Sequence, residues 1–405
     1  MKAVVTCLAT LALVLAPTVA HAEWPTLERV LDMARERSLV SKEAEGQLAV
    51  ASSYQTWARV PWLTNPYLEF QASRGASTKD LAFNSFLMLP VEINGQRGAR
   101  IDEANALLRW RTSARDDVRA RSEGDAITFY GLTVTSLARI GQYERAEADA
   151  KLETDYYAAR LAAGDATQVD KSLADAELAR YAQLRAEATI ELLDNRSRFE
   201  QLIGAPVDLG APPGIDPPPL RSPSADVFVK LVVEASPTLK ALSHESGYWG
   251  AQSSRVARDA NVPLNVIINF GRSDLGEFTV GGGLSWNFPV TQRNQGAVAL
   301  ADAQRDRADS IHGTFEPLLA GRARSLYEQA TLALSALASV DANAIPAAER
   351  LVDATQQGYK AGKIEYLHVL QARRDRATAQ ARRLDLVGTL WRKYGEMVAL
   401  LGGLP

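Results

Sequence analysis

Helical and strand-like spacings of hydrophobic residues alternate along this chain. Residues 26–57 carry apolar side chains at the spacing of a helix, and after Asn65 apolar and polar residues begin to alternate. The same change of period recurs after Pro263. The alternating stretches predict two β-hairpins. Their strands are predicted at about 66–74 and 81–91, and at about 263–271 and 277–290.

One face of these predicted strands is apolar, and the other is polar or small. The apolar face includes Leu68, Phe70, Phe278, Leu284, Trp286 and Phe288. The opposite face includes Glu69, Gln71, Asn265, Asn269, Thr279 and Asn287. This alternation is typical of the wall of a membrane β-barrel, so we predict that the first set faces lipid and the second a water-filled lumen. The alternative is a small soluble sheet covered by helices.

A very long helical segment follows each hairpin. Residues 96–163 contain no proline and are rich in Ala, Arg, Glu, Asp and Leu, which predicts a helix of roughly 100 Å. The chain then reverses at Gly164 and returns as a second helix. Another long helix is predicted from Gln295 to a turn at Gly362, with a return helix over 364–401. A glycine just beyond a helix end favours the left-handed conformation that reverses the chain.

The two glycine turns are 198 positions apart, and this interval describes an internal duplication. The predicted organisation is a first repeat at 23–204, a proline-rich linker at 205–223 and a second repeat at 224–405. Two equal halves, each of helix, hairpin, long helix, turn and return helix, do not fit a conventional globular enzyme. The predicted fold class is therefore mainly α with a small membrane β-barrel.

Four strands are too few to close a membrane barrel, because the smallest such barrels have eight. Open sheet edges are not tolerated in lipid, so several chains must pool their strands. Two chains would supply eight strands and three would supply twelve. The polar face favours a wide, water-filled barrel and hence three chains.

The first 22 residues have the pattern of a secretory signal peptide. Lys2 precedes an apolar run that ends at an Ala-His-Ala cleavage site, so the mature chain is expected to begin at Glu23. The alternative, a membrane anchor, needs about 20 apolar residues, and this run is shorter. The one cysteine, Cys7, lies inside this segment. We expect no later segment to match a transmembrane helix.

The remaining composition excludes several function classes. The net charge is −3 with both signs interspersed, which does not indicate a nucleic-acid surface. His244, His312 and His368 are far apart in the chain, and no cysteine accompanies them, so no metal site is predicted. The chain also lacks a Gly-x-Ser-x-Gly elbow, a phosphate-binding loop and a dinucleotide fingerprint. We predict no enzyme activity and no cofactor, and the mechanism reduces to gating and conduction.

Several sequence features resemble the TolC family of outer-membrane efflux proteins. They are the duplicated plan, the Leu-Pro-Val and Phe-Pro-Val exits from the hairpins at 89–91 and 288–290, and the sequences GYKAG at 358–362 and LHVLQA at 367–372. The segment 345–349 before this motif is most similar to the heavy-metal efflux branch. The resemblance implies a homotrimer with a twelve-stranded barrel in the outer membrane and a helical tunnel in the periplasm. It also implies a periplasmic adaptor and an inner-membrane, proton-driven pump as partners.

The resemblance places the two glycine turns at the closed periplasmic tip. In the family, positions corresponding to His368 and Gln371 often carry acids that form rings around the aperture, whereas this chain has an imidazole and an amide. A ring of imidazoles changes charge between about pH 5 and 8. Charged residues cluster beside both turns, either as ordinary solvated groups or as weak ion pairs that hold the tip shut. They are Asp165, Asp170, Lys360, Lys363 and Glu365.

Pro317 and Pro346 lie in the second long helix and have no counterpart in the first. A proline inside a helix removes a hydrogen bond and kinks or breaks the helix. We therefore expect the two long hairpins to differ.

The predicted function is a passive exit duct for metal ions or small toxic compounds. One alternative is the exit duct of a type I secretion system, and another, of a different class, is a soluble periplasmic coiled-coil adaptor. The paired hairpins at equal offset favour a duct over an adaptor. The metal cargo follows from the resemblance alone.

Overall fold

The computed structural model describes residues 24–74, 81–208, 214–217, 220 and 224–403. The predicted signal peptide at 1–22, the turn between the first two strands and parts of the linker at 205–223 lie outside the described residues.

Each half of the described chain is mostly helical and contributes two strands, which confirms the predicted mainly α fold class. The first half contains α1 (Leu27–Arg37), α2 (Leu39–Ala58), β1 (Tyr67–Arg74), β2 (Leu81–Val91), α3 (Gln96–Ala162) and α4 (Gln168–Ile203). The second half contains α5 (Ala225–Ala235), α6 (Pro237–Asp259), β3 (Leu264–Arg272), β4 (Phe278–Ser285), α7 (Gln295–Ser339), α8 (Ile345–Lys360) and α9 (Tyr366–Leu401). A π-helical turn, Val340–Ala344, joins α7 to α8.

The repeated halves share their backbone turns. Gly164 and Gly362 follow the long helices with φ of 82° and 67°, and Gly204 and Gly402 end the return helices in the same left-handed region. The residue before each long helix is also left-handed, although it is Gly95 in the first half and Asn294 in the second.

The single helix predicted before each hairpin is split in two. The side chain of Ser38 accepts a hydrogen bond from the Ser41 amide and starts α2, and Ser236 accepts one from Leu239 and starts α6. A serine in this role satisfies an amide that would otherwise lack a partner at the new helix start. Pro237, in the first turn of α6, reinforces the second break because its missing N–H is not needed there.

The four strands form one antiparallel sheet in the order β1-β2-β3-β4. In β1 and β3 the register places Leu68 and Ile268 on one face and Glu69 and Asn269 on the other. β4 is shorter than predicted and ends at Ser285, which pairs with Asn265 of β3. Trp286, Asn287 and Phe288 therefore lie outside the strand.

The two prolines of the second long helix have different effects. Pro317 lies inside α7 without changing the helix type, whereas Pro346 immediately follows the π-helical turn. Pro346 cannot donate to the carbonyl four residues earlier, and its ring would clash there. The wider turn at 340–344 relieves both problems.

One expectation about membrane helices was wrong. Among the described residues, the continuous helical stretch Gln295–Lys360 contains an 18-residue window of mean hydropathy 1.2, which passes as a candidate span by length and composition. Only 17% of that window is buried within this chain. One helix that passes by length and composition alone is weak evidence for a span.

The largest core lies where α3 and α9 cross, with α1, α4 and α7 packed around them. Tyr130, Phe199, Trp391 and Val398 are among its buried residues. The helices approach closely because Gly131 of α3 faces the Trp391 ring with no side chain between them. This core holds the two repeats together well away from the glycine turns.

Candidate functional site

The turns after the two long helices are built identically. Asp165 donates its amide to the carbonyl of Arg160 across 2.8 Å, and Lys363 donates to the carbonyl of Gly358 across 2.9 Å. Together with bonds from the amides of Gly164 and Gly362 to the carbonyls three positions earlier, these form two Schellman motifs, which need a residue with positive φ. The two chain reversals therefore depend on glycine.

The return helices start differently. Thr167 and Asp170 form a capping box at the start of α4, in which each side chain accepts from the other residue's amide, across 3.1 and 3.0 Å. α9 begins after Glu365, whose side chain makes no such bond. The first turn is thus fixed by its own side chains, whereas the second depends on neighbouring helices.

Three tyrosines pack between the two turns. The hydroxyls of Tyr157 and Tyr359 are 2.7 Å apart, and the rings of Tyr157 and Tyr366 have centroids 4.4 Å apart. Burial raises the pKa of Tyr157 and of Tyr366, so both phenols stay neutral at physiological pH. With Val369 and Leu370 they form a small apolar cluster that joins the turn of the first repeat to that of the second.

Two carboxylates on the first hairpin receive bonds from α9. Glu153 on α3 accepts from the Tyr366 hydroxyl across 2.9 Å and also pairs with Arg373. Glu177 on α4, whose side chain is only 4% exposed, accepts from Arg374 across 2.8 Å. We call these contacts of Glu153 and Glu177 with Tyr366, Arg373 and Arg374 the carboxylate links.

Space remains on both sides of these links. A cavity of about 280 Å³ lies between α3, α4 and α9, lined partly by Glu153, Glu177 and Arg373 themselves and by Arg145 and Arg376. A groove of about 350 Å³ lies between the two turns, lined partly by Asp165 and Glu365. Acidic side chains and arginines line both spaces, so neither resembles an apolar ligand pocket.

The structure brings the predicted tip residues together at one end of the helices, where Gly164, Asp165, Gly362, Lys363 and Glu365 are all exposed. His368 and Gln371 are exposed as well and lie on the face of α9 opposite the buried Tyr366, Val369 and Leu370. Their place in an aperture stays a prediction.

Sequence reasoning missed the carboxylate links. Glu153 is separated from Arg373 by 220 positions, and Glu177 from Arg374 by 197. The one available signal was the run of basic residues on α9. Such a run predicts acidic residues on a helix that packs against it. Nothing in the spacing identifies which acids those are.

The polar and apolar sets on the strands fall on opposite faces of the sheet. Glu69 and Asn269 share one face, as do Gln71 and Thr279, while Leu68, Phe70 and Leu284 occupy the other. Their assignment to lumen or lipid stays a prediction. Within the described chain, no group of three or more His, Cys, Asp and Glu side chains is placed to hold a metal ion.

This chain is similar to known proteins in sequence and in fold. A family model described as "Outer membrane efflux protein" matches residues 246–403. The cobalt-zinc-cadmium resistance protein CzcC of Cupriavidus metallidurans is 25% identical over 386 residues, which cover 93% of this chain and 90% of CzcC.

Solved structures with the same fold include outer-membrane channels. The outer membrane protein VceC of Vibrio cholerae has a TM-score of 0.75 at 14% identity and covers 93% of this chain and 96% of VceC. The outer-membrane channel OprN has a TM-score of 0.73 at 17% identity, covering 94% and 90%. CusC, whose structures describe transmembrane channel formation, has a TM-score of 0.70 at 12% identity, covering 93% and 92%.

Proposed function

Because this chain belongs to the outer membrane efflux protein family, we propose that its glycine turns form the closed end of a trimeric export duct. The protein is the outer-membrane duct of a tripartite efflux system, with its helical tunnel in the periplasm and an adaptor and a pump as partners. This family consists of channel components rather than enzymes. The alternative of a soluble coiled-coil adaptor is thereby set aside.

Three copies would close the barrel. Within the described chain β1 and β4 are the two edges of the sheet, so each copy offers one edge to each neighbour. Three sheets joined in this way give twelve strands, and closure removes every edge from the lipid. The exposed apolar side chains of α2 and α7, such as Leu39 and Leu332, would be covered by adjacent copies. Native mass spectrometry of detergent-extracted protein tests this proposal, and monomers or dimers alone would contradict it.

The sheet faces follow from this closure. Leu68, Phe70, Phe278 and Leu284 would face lipid, and Glu69, Gln71, Asn265, Asn269 and Thr279 would face the lumen. A membrane barrel with a water-filled channel needs this arrangement. Trp286, Asn287 and Phe288, which follow β4, would lie near the periplasmic rim, where aromatic residues are enriched.

The carboxylate links carry the proposal for gating. Glu153 and Glu177 belong to the first hairpin, and their partners Tyr366, Arg373 and Arg374 belong to the start of the second return helix. Breaking these few contacts would let α8 and α9 move relative to α3 and α4 without disturbing the core at Trp391. An adaptor that binds the open arrangement more tightly would shift the equilibrium towards it.

His368 and Gln371 would line the aperture at the tip instead of linking the two hairpins. Both are exposed on α9, so three copies would place three of each near the axis if this face lines the aperture. Asp165, Asp170, Lys363 and Glu365 would remain at the outer surface of the turns, where a partner can reach them.

We propose heavy-metal ions as the cargo, delivered by a proton-driven pump. The support is the similarity to CzcC, a cobalt-zinc-cadmium resistance protein, over nearly the full length of both chains. A passive duct needs no metal ligands of its own, because the pump selects the cargo. Deleting the gene should sensitise cells to cobalt, zinc or cadmium. Sensitivity to organic toxicants alone would contradict the proposed metal cargo but would still agree with an export duct.

A further inference from the structure

A row of four phenylalanines crosses the whole sheet. The ring centroids of Phe70 and Phe83 are 6.0 Å apart, those of Phe83 and Phe270 are 5.7 Å apart, and those of Phe270 and Phe278 are 6.2 Å apart. Each strand contributes one ring, and all four rings lie on the apolar face. Girdles of aromatic residues flank the apolar band of a membrane barrel at its two interfaces.

The row lies towards the end of the sheet that is farther from the helices. The opposite end of every strand connects to a helix, and the turn at 273–277 lies beyond Phe270 and Phe278. Since the helical tunnel is periplasmic, this far end faces the outer leaflet of the outer membrane.

An arginine accompanies the row on the same apolar face. Arg272 pairs in register with Phe83 on one side and with Phe278 on the other, and its guanidinium lies 5.7 Å from the Phe278 centroid. Arg272 is exposed and makes no hydrogen bond or ion pair with any described residue, although the acids Asp274 and Glu277 are close in sequence. Arg74 lies on the same face, one step of the ladder nearer the turns.

A cation on the lipid side of a barrel wall needs an anionic partner. Arginine at the bilayer midplane is costly, and the cost falls towards the headgroup level. The guanidinium group matches a phosphate with two parallel hydrogen bonds, and stacking on an aromatic ring fixes its plane beforehand. Arg272 lies within cation–π distance of Phe278, which favours a fixed position for its guanidinium.

We propose that Arg272, supported by Phe278, binds the phosphate groups of the glycolipid that forms the outer leaflet. This inference rests on the proposed barrel, since it requires the apolar face to meet lipid. It assigns the sheet a specific lipid contact in addition to its role as a wall. The bound lipid would anchor the sheet at a defined depth in the outer leaflet.

The test measures binding of diphosphoryl lipid A to the full mature protein, purified in detergent and stripped of lipid. Arg272→Gln should weaken binding about five-fold, the effect of one basic residue near an anionic surface. The affinity of Arg272→Lys should fall between those of the wild type and Arg272→Gln, because lysine keeps the charge and loses the paired hydrogen bonds. Arg382→Gln, which removes an exposed arginine from α9, is the matched control and should bind like the wild type.

Three results would overturn the proposal. They are unchanged binding by Arg272→Gln, equal binding of dephosphorylated lipid A, and equal binding of phosphatidylglycerol, which would indicate a general anionic surface. Conductance in planar bilayers separates this inference from the duct itself. Arg272→Gln should conduct like the wild type, whereas a wild-type protein that forms no channels would refute the duct and not the lipid contact.

Discussion

The hydroxyl of Tyr366 donates a hydrogen bond to Glu153 across 2.9 Å, and this bond joins residues that are 213 positions apart. Arg373 contacts the same carboxylate. One side chain of α3 thus holds the first turn of α9 and the residues one to two turns beyond it. The second hairpin is fixed to the first at its free end, far from the glycine-packed core.

Tyr366→Phe should loosen this end of the molecule. Loss of a hydrogen bond to a charged group costs roughly 1.5–3 kcal/mol, which corresponds to about a tenfold or larger rise in the open population. Cells carrying the variant should take up a polar dye that an intact outer membrane excludes. Tyr143→Phe is the control, because that phenol on α3 makes no hydrogen bond to the described residues. Equal uptake by the two variants would contradict a closing role for the Tyr366 bond.

Gly131→Ala should destabilise the crossing of α3 and α9. A methyl group at this position would overlap the Trp391 ring, and overpacking of a tight core costs about 1–3 kcal/mol. Gly388→Ala is a matched change on α9, where the added carbon would lie at an ordinary 3.5 Å from Leu132. It should be neutral or stabilise by up to about 1 kcal/mol through helix propensity. Thermal unfolding in detergent checks both, and equal stability of the two variants would refute the close approach.

Glu103 should make the stability of the protein depend on pH in an unusual direction. Burial raises the pKa of this carboxyl, although Arg255 lies 2.6 Å away. A raised pKa in the folded state gives stability that is fully present below the pKa of the unfolded chain and is lost as pH rises through the folded value. The unfolding free energy of the wild type minus that of Glu103→Gln should therefore fall between pH 4 and pH 7. A difference that rises over this range would contradict the effect of burial.

Pro346→Ala should regularise the second long helix. The alanine restores the missing N–H and removes the ring that the π-helical turn at 340–344 accommodates. Amide hydrogen exchange at 340–345 should slow, although Arg383 still holds Asp341 across 2.8 Å. Pro317→Ala is the control, because no change of helix type accompanies that proline, and it should leave exchange at 340–345 unchanged. Faster exchange in Pro346→Ala would contradict this explanation of the turn.

The sequence was informative where a single residue type determines the local backbone. Gly164 and Gly362 take the left-handed conformation that reverses the chain, and the duplicated fold and the outer-membrane duct predicted around them are confirmed. The alternation at 66–74 likewise predicted which side chains share a face of β1. In both cases the information lies within a few neighbouring positions.

The sequence was uninformative about how two helices that are far apart in sequence are rotated relative to each other where they pack. Glu153 is one of several acids on a helix of 67 residues, and no local pattern indicates that it faces Tyr366. The split at Ser38 was readable in principle, since serine there caps the amide of Ser41. The rest depends on packing between repeats, which a single sequence does not reveal.

Single-channel conductance of the purified mature protein in planar bilayers tests the central claim most directly. We predict small, infrequent openings for the wild type and a several-fold larger conductance for the double variant Tyr366→Phe/Arg373→Ala, because the second hairpin is then released from Glu153. A protein that inserts no channels, or a double variant that conducts like the wild type, would contradict a duct closed at its glycine turns.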